Sequence, residues 1–408
     1  MKALRNILVI LLLSALCLQA SAQGDTLRFT VRGSVRDASG GRALEAVSVS
    51  IPGTSYATVS NRDGSFVIKS DVKPSFVSFS LLGYNTLTLP VQEGEMRVRL
   101  SRGNIELDPA TVISGNPRAI VEYAISLIDK NFPDKPELFD CFYRETVRKR
   151  SRFIYVSEAV TKVYKSAASN FWGRDRASVE KSRLLVSPKM SDTLGVKVLG
   201  GPAMAADLDI VKTRSMVADL NQLDYYNFEM LLPDVIDGRT QFVIRFSPAI
   251  DVDYALQNGT LYIDRETFAF TRVETFLDVS NPTKATNAML VKRPSGLRFR
   301  PKEMSLLLDY KEEGGKYRLS YLRTQFRFNC DWRKRLFATD YTAVSEMVVT
   351  NRHTGVDAAP IQREDEFSSR TSLADKTQYY ADPGFWDAYN IIEPTVSLER
   401  AIGNLLKK

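Results

Sequence analysis

One histidine in 408 residues sets hard limits on the chemistry this chain can perform. His353 stands in the polar run Asn351-Arg352-His353-Thr354-Gly355 and reads as a solvent-exposed turn residue at a strand end. A zinc peptidase site needs two histidines and a carboxylate, or a comparable donor set, so that site cannot be built. A Ser-His-Asp or Cys-His relay would have to pass through the same ring, and no Gly-x-Ser-x-Gly elbow accompanies it. Neither Gly-x-Gly-x-x-Gly nor a Walker-type run occurs, so phosphate-cradling loops are missing as well. No metal and no cofactor are expected.

Carboxylates offer a second route. Asp251 with Asp253, and Asp207 with Asp209, stand two apart and would share a face in extended chain. Glycoside hydrolysis needs two facing carboxyl groups, but such pairs are common on solvated strands and no aromatic sugar platform lies in register. A carboxylate hydrolase acting on glycan or peptide is therefore the alternative reading. Arg144-Glu145 reads as a surface or inter-strand ion pair. Asn61-Arg62-Asp63-Gly64 lacks the alternating oxygen ligands and distal glutamate of a calcium loop. Asp63 and Gly64 instead read as a structural turn in which the glycine takes positive φ, and Gly83 ends a strand in the same manner. Cys141 and Cys330 could pair in an oxidising compartment; two buried thiols are the other reading. Two apolar sets remain. Phe268, Phe270 and Phe276 share one strand face, and Met304, Leu306, Leu308 and Tyr310 share another. Core packing is the plain reading, and a concave apolar cavity is the functional one.

Composition bounds the rest. A hydrophobic share of 44% with 25% charged residues is that of a globular protein, and 21 Phe with 17 Tyr lean toward β structure. The formal charge of +7 falls to +5 without Lys2 and Arg5. Basic residues are scattered except at Arg148-Lys149-Arg150-Ser151-Arg152, which argues against nucleic acid as a partner. Residues 1–22 read as a secretory leader. Lys2 and Arg5 precede a short apolar stretch, and Ala20-Ser21-Ala22 supplies a cleavage site. Leu16 stands before Cys17 where lipid attachment would need a small residue, so the mature chain is expected to start at Gln23 and to be exported.

The elements that must position these residues are mostly strands. From Leu27 to Arg36 apolar and polar residues alternate without a break. Turn clusters at Asp37-Ala38-Ser39-Gly40-Gly41, Pro52-Gly53 and Asn61-Arg62-Asp63-Gly64 punctuate further short runs as far as Leu100. Seven strands at this spacing predict a β-sandwich over residues 23–101. Residues 102–116 read as a linker, and 117–408 as a larger β-rich domain. Pro117 opens a helix with Ile120, Tyr123, Ala124, Leu127 and Ile128 at helical spacing. Residues 165–220 are expected to be loops with one or two short helices. Hairpins are expected around Asp264-Arg265-Glu266-Thr267, with Phe268 already in the second strand, and around Glu312-Glu313-Gly314-Gly315. A final long strand covers 336–350, and a short helix ends the chain. Arg318, Arg323 and Arg327 interrupt the longest strand, which argues against a membrane-spanning barrel.

Gly33-Ser34-Val35-Arg36-Asp37, the run from Leu44 to Val49, Asn61-Arg62-Asp63-Gly64-Ser65-Phe66 and Leu82-Gly83-Tyr84 resemble the carboxypeptidase-regulatory-like domain of Bacteroidetes envelope proteins. That resemblance implies a transthyretin-like Greek-key sandwich, an appendage found on many different proteins, often at the N-terminus of outer-membrane nutrient receptors. Gly259-Thr260-Leu261-Tyr262-Ile263-Asp264, leading into the next strand, resembles the periplasmic lipoprotein-carrier fold, which implies a curved sheet or half-barrel whose apolar cavity takes an acyl chain or lipoprotein anchor. Phe142-Tyr143-Arg144-Glu145, Ser157-Glu158 and Phe385-Trp386 resemble the uncharacterised region that follows such sandwiches. The expectation is a mainly β, non-catalytic envelope protein in the periplasm or at the periplasmic face of the outer membrane. It would bind or assemble with an envelope protein or an apolar ligand.

Overall fold

The computed structural model describes residues 29–103, 115–189, 201–290, 295–332, 338–368, 373 and 386–406. The expected leader and most of the expected linker lie outside these residues. Seven strands build the N-terminal sandwich: β1 (Phe29–Asp37), β2 (Ser48–Ser50), β3 (Ala57–Val59), β4 (Ser65–Ser70), β5 (Phe76–Ser80), β6 (Leu87–Pro90) and β7 (Glu95–Leu100). One sheet has the order β4-β1-β7 and the other β3-β2-β5-β6. The alternation seen in β1 places Val31 and Val35 inward, where Phe66 and Phe79 meet edge to face with ring centroids 5.3 Å apart. Asp37 joins two distant motifs. Its carboxylate accepts from the Ser39 and Gly40 amides, both at 2.8 Å, and from the Tyr84 hydroxyl at 2.8 Å. Gly64 takes φ +79°, and a Cβ there would lie 2.4 Å from the Val35 carbonyl oxygen.

The second unit is one open antiparallel sheet of eleven strands. In chain order these are β8 (Glu137–Lys149), β9 (Arg152–Lys165), β10 (Arg176–Val186), β11 (Tyr226–Met230), β12 (Asp234–Ile236), β13 (Arg239–Pro248), β14 (Gln257–Asp264), β15 (Phe270–Leu277), β16 (Leu297–Glu313), β17 (Lys316–Trp332) and β18 (Thr339–His353). The order across the sheet is β10-β9-β8-β18-β17-β16-β15-β14-β13-β11, with β12 also on β13. β18 therefore returns to the middle beside β8. Among the described residues no helix is long and apolar enough to cross a membrane.

Both faces of the sheet's centre are covered, so β8 is buried along most of its length, its charged residues included. On the inner face lie helix α1 (Pro117–Ser126), capped by Asn116 whose side chain accepts from the Arg118 amide at 3.0 Å, and the short helices α2 (Ile128–Asn131), α3 (Gly201–Asp207) and α4 (Ile210–Thr213). Cys141 and Tyr143 point into that core and Phe142 points the other way. Helix α5 (Pro282–Met289) lies against β16, and helix α6 (Val396–Leu406) covers the outer face of β9 and β10 through Leu398 and Ile402.

Several local expectations change. Residues 165–220 hold a full strand, β10, whose alternation is interrupted by a bulge between Val179 and Lys181. Phe268 is not in a strand but in the turn, at φ +56°. A further bulge in the β14–β15 pairing, between Tyr262 and Ile263, flips the facing within β15. Phe270 consequently faces the core while Phe276, six residues later, faces out. His353 ends strand β18, half-buried beside Asp140, and is not a solvated turn residue. Cys141 and Cys330 lie in separate buried clusters and are not joined to each other.

Candidate functional site

The outer face of the sheet carries ordered cross-strand rows. Tyr321, Val348, Phe142 and Val160 stand side by side on β17, β18, β8 and β9 and form an apolar row that meets Val59 of the sandwich. Two residues further along, Arg323, Glu346, Arg144, Glu158 and Arg183 form a row of alternating sign across five strands. The row survives burial because its members are multiply bonded. Glu158, fully buried, accepts from Arg144 Nε at 2.7 Å and from Arg183 at 2.6 Å. Burial alone would raise its pKa, but those two guanidiniums hold the carboxyl below its ordinary value. Glu346 accepts from the Tyr321 hydroxyl at 2.8 Å.

Four residues beyond that row, Arg327 and Arg148 flank Thr342, with no carboxylate between them. Here the sheet, the sandwich and the C-terminal segment enclose a cleft of about 320 Å³. The sandwich supplies Arg62, from the Asn61–Gly64 turn, and Glu45. The C-terminal segment supplies Ile392, Thr395 and Leu398. Six arginines line the space (Arg62, Arg144, Arg148, Arg150, Arg323, Arg327) against two glutamates, Glu45 and Glu346.

Most of that charge is already committed. Glu45 bridges Arg323 at 3.1 Å and Arg62 at 3.5 Å, and Arg327 holds Glu303 at 3.1 Å. Arg144 has Glu158 and also donates from Nη2 to the Ile392 carbonyl at 2.6 Å. Among the described residues no carboxylate pairs with Arg148 or Arg150. Arg148 lies over the Phe153 ring, its Cζ 4.1 Å from the centroid. Burial lowers its pKa, and repulsion from Arg62 and Arg323 lowers it further against the pull of Glu45. An arginine stays charged under such pressure, so an anion entering the cleft would relieve it. The forked guanidiniums suit carboxylate or phosphate oxygens, and Phe153, Val344 and Leu398 add apolar wall.

One device holds the three parts of the cleft together. Asn61 Oδ1 accepts from the Asp63 and Ser65 amides at 2.9 and 3.0 Å, closing its own turn. Its Nδ2 donates to the Glu393 and Pro394 carbonyls at 3.0 and 3.1 Å. Asn390 pairs with the Lys69 backbone in both directions, at 2.6 and 2.9 Å, much as a strand neighbour would. Lys69 Nζ donates to the Trp386 and Asp387 carbonyls, both at 2.9 Å. Asp63 accepts from the Val396 amide at 2.8 Å, where α6 starts. Gly83 packs the other side of the sandwich to the sheet, its amide donating to the Val235 carbonyl at 3.0 Å.

The apolar residues proposed from sequence do not come together as a cavity. Phe270, Leu306, Leu308 and Tyr310 are packed into the inner core, and Phe268 packs partly buried against it, near Tyr123 and Phe242. Met304 is half-buried, and Phe276 is exposed on the outer face. The carboxylates are dispersed too. Asp251 is solvated beside Lys284, while Asp209 is buried with Lys165 at 3.0 Å and the Tyr310 hydroxyl at 2.7 Å. Glu145 faces the inner core, away from Arg144, and takes the Tyr143 hydroxyl at 2.5 Å; burial raises its pKa. The cleft's arginines come from segments far apart in the chain. Arg148 and Arg150 belong to the one basic cluster visible in the sequence, and Arg323 with Arg327 share a strand face by their spacing of four.

No curated protein matches the chain. Among solved structures it is similar to a DUF1329 family protein from Desulfovibrio piger, at 10% identity and TM-score 0.27, over 59% of this chain and 95% of that one. Lipovitellin, in a structure of its lipid–protein interactions, is similar at 7% identity and TM-score 0.27, over 62% and 28% respectively. A protein of unknown function from Bacteroides fragilis, described as membrane-associated, is similar at 10% identity and TM-score 0.15, over 80% and 98%. Overlap this slight transfers no property to this chain. The N-terminal sandwich is different: residues 31–112 match the family model of the CarboxypepD_reg-like domain, and this part of the chain is such a domain.

Proposed function

We propose that this is a non-catalytic, exported protein of the cell envelope that binds an anionic ligand with an apolar portion in the cleft between sandwich and sheet. One observation carries the reading: Arg148 is half-buried in a space lined by six arginines, with no carboxylate of its own among the described residues. A protein that needed only a stable junction would neutralise that position, since an uncompensated buried charge is destabilising. The apolar wall of Phe153, Val344 and Leu398 favours a ligand that is more than an inorganic ion. The non-catalytic character is supported by the dispersal of the candidate acids and bases. His353 is bonded to Asp140 at 2.7 Å at one end of the sheet, and the aspartate pairs are scattered.

Titration calorimetry with pyrophosphate and with phosphatidylglycerol headgroup analogues tests the proposal. Binding is expected for at least one probe, weakening as salt rises, and about tenfold or more weaker in Arg148→Ala. Unchanged affinity in Arg148→Ala and Arg62→Ala, or no binding of either probe, would remove the cleft from consideration.

A further inference from the structure

A second feature stands apart from the cleft and points to where the molecule sits. The connection between β9 and β10 turns at Asn170–Gly173, where the Gly173 amide donates to the Asn170 carbonyl at 2.8 Å. Its two central residues are Phe171 and Trp172. Trp172 is 85% exposed and Phe171 38%, with their rings 4.8 Å apart. The base of this loop is tied down on every side. Lys165 is paired with Asp175 at 2.6 Å and Asp209 at 3.0 Å, inside the fold. Ser166 donates from its amide to Asp175 at 2.9 Å and from its hydroxyl to the Gly173 carbonyl at 2.9 Å. Lys212 Nζ donates to the Asn170 carbonyl at 2.7 Å, and the Ala168 amide donates to the Pro133 carbonyl at 2.8 Å. Trp172 is thus held out in water, with Phe171 partly exposed beside it, by a pre-ordered loop.

The same end of the sheet presents a second apolar tip. Strand register sets His353, Leu138, Tyr164 and Arg176 side by side on β18, β8, β9 and β10. The turn after β18 carries Val356, which is 95% exposed. β18 and β9 are two strand spacings apart, so the two tips leave the sheet about 10 Å from each other. Guanidiniums border the rings. Arg214 Cζ lies 5.6 Å from the Phe171 centroid, and the Arg174 side chain is 68% exposed. Each holds one carboxylate, Asp129 and Glu366 respectively, which leaves other N–H donors of the fork for a phosphate.

We propose that the Asn170–Gly173 turn is a membrane-interface anchor, with Phe171 and Trp172 entering the headgroup region of a phospholipid bilayer and Arg174 and Arg214 meeting its phosphates. Two protruding rings and one valine offer well under the roughly 800 Å² per partner that a stable protein interface buries. An amphipathic indole backed by arginine is instead the arrangement that suits a bilayer interface. This rests on different residues from the cleft, and either can fail alone.

The test is co-sedimentation of the full chain with vesicles of phosphatidylethanolamine and phosphatidylglycerol. Wild type is expected to bind, and Phe171→Ser with Trp172→Ser to bind about tenfold or more weakly, with a melting temperature little changed because Trp172 is solvated and Phe171 is only partly covered. Brominated phospholipid in the vesicles should quench wild-type tryptophan emission. Trp172→Tyr should keep most of the binding and lose that quenching, which assigns it to this residue. No wild-type sedimentation, equal sedimentation of the double variant, or quenching that persists in Trp172→Tyr overturns the proposal. Self-association of the wild type that the double variant abolishes overturns it too, since a second copy would then cover the rings.

Discussion

His353 and Asp140 show how much a single residue's role depends on a partner far away in the chain. A bulge between Val349 and Asn351 shifts the end of β18 so that His353 pairs with Leu138, beside Asp140. Its Nε2 lies 2.7 Å from Asp140 Oδ2. That hydrogen bond raises the histidine pKa in spite of burial. Burial would raise the Asp140 pKa, but His353 and Lys162 hold it below its ordinary value. The stabilisation from His353 is complete below the ordinary histidine pKa of about 6.5 and is lost as pH rises through the raised folded value. Asp140 adds stability above about pH 3.9 that is lost as pH falls through its lowered value. His353→Gln should therefore lower the melting temperature most between about pH 4 and 6.5, by the equivalent of about 1 kcal/mol or less, and the gap should narrow on going to pH 9. A gap independent of pH would mean that the pair is not the cause. The cysteines give a sharper test. Burial, with Asp140 adding to it, pushes the Cys141 thiol above the usual range. In the chain from Gln23 onward, thiol labelling should count two sulfhydryls only after denaturation, and reductant should leave the melting temperature unchanged.

At the scale of elements, the Asn61–Gly64 turn does more than reverse a strand. Its carboxamide serves its own turn and the C-terminal segment, and its arginine enters the cleft. Gly64→Ala would meet the Val35 carbonyl and is expected to cost about 2–3 kcal/mol. Gly94→Ala, also at positive φ but with open space around it, should cost about 1 kcal/mol. Asn390→Ala leaves the Lys69 amide and carbonyl unpaired in a buried place and should cost about 2 kcal/mol. Chemical denaturation of the three variants gives the comparison, and equal losses for both glycines would refute the steric argument. The sandwich was legible because its strands alternate cleanly and its turns use Gly, Asn and Asp where positive φ or side-chain caps are required. β10 was hidden by a bulge that breaks its period, and the facing of β15 by another. The cleft was hidden for a different reason. Arg62, Arg148 and Arg323 are neighbours only once β18 has been inserted between β8 and β17, a pairing that local periodicity does not encode.

The whole molecule has its two candidate surfaces at different places on one rigid sheet. Along β8 the anchor end lies near Leu138 and the cleft near Arg148, roughly 30 Å apart for ten residues of strand. A bilayer-bound protein would then hold the cleft clear of the headgroups. That geometry requires the sandwich to stay fixed on the sheet, because the cleft has walls from both. The junction joins Val59 to Phe142, Val348, Trp386 and Ile392, and the C-terminal segment adds the hydrogen bonds of Asn61, Lys69, Thr58 and Asp63. Calorimetry of the full chain should therefore show one cooperative transition although the sandwich and the sheet each have a core of their own. Truncation after residue 385 removes Trp386, the rest of the C-terminal segment and α6 together. It should split the melt in two, with the sandwich unfolding first because a core of that size is marginal alone. The truncated chain should also lose anion binding, since Ile392, Thr395 and Leu398 wall the cleft, while vesicle binding through Trp172 persists. One unshifted transition after truncation would show that the C-terminal segment is not what couples the two units.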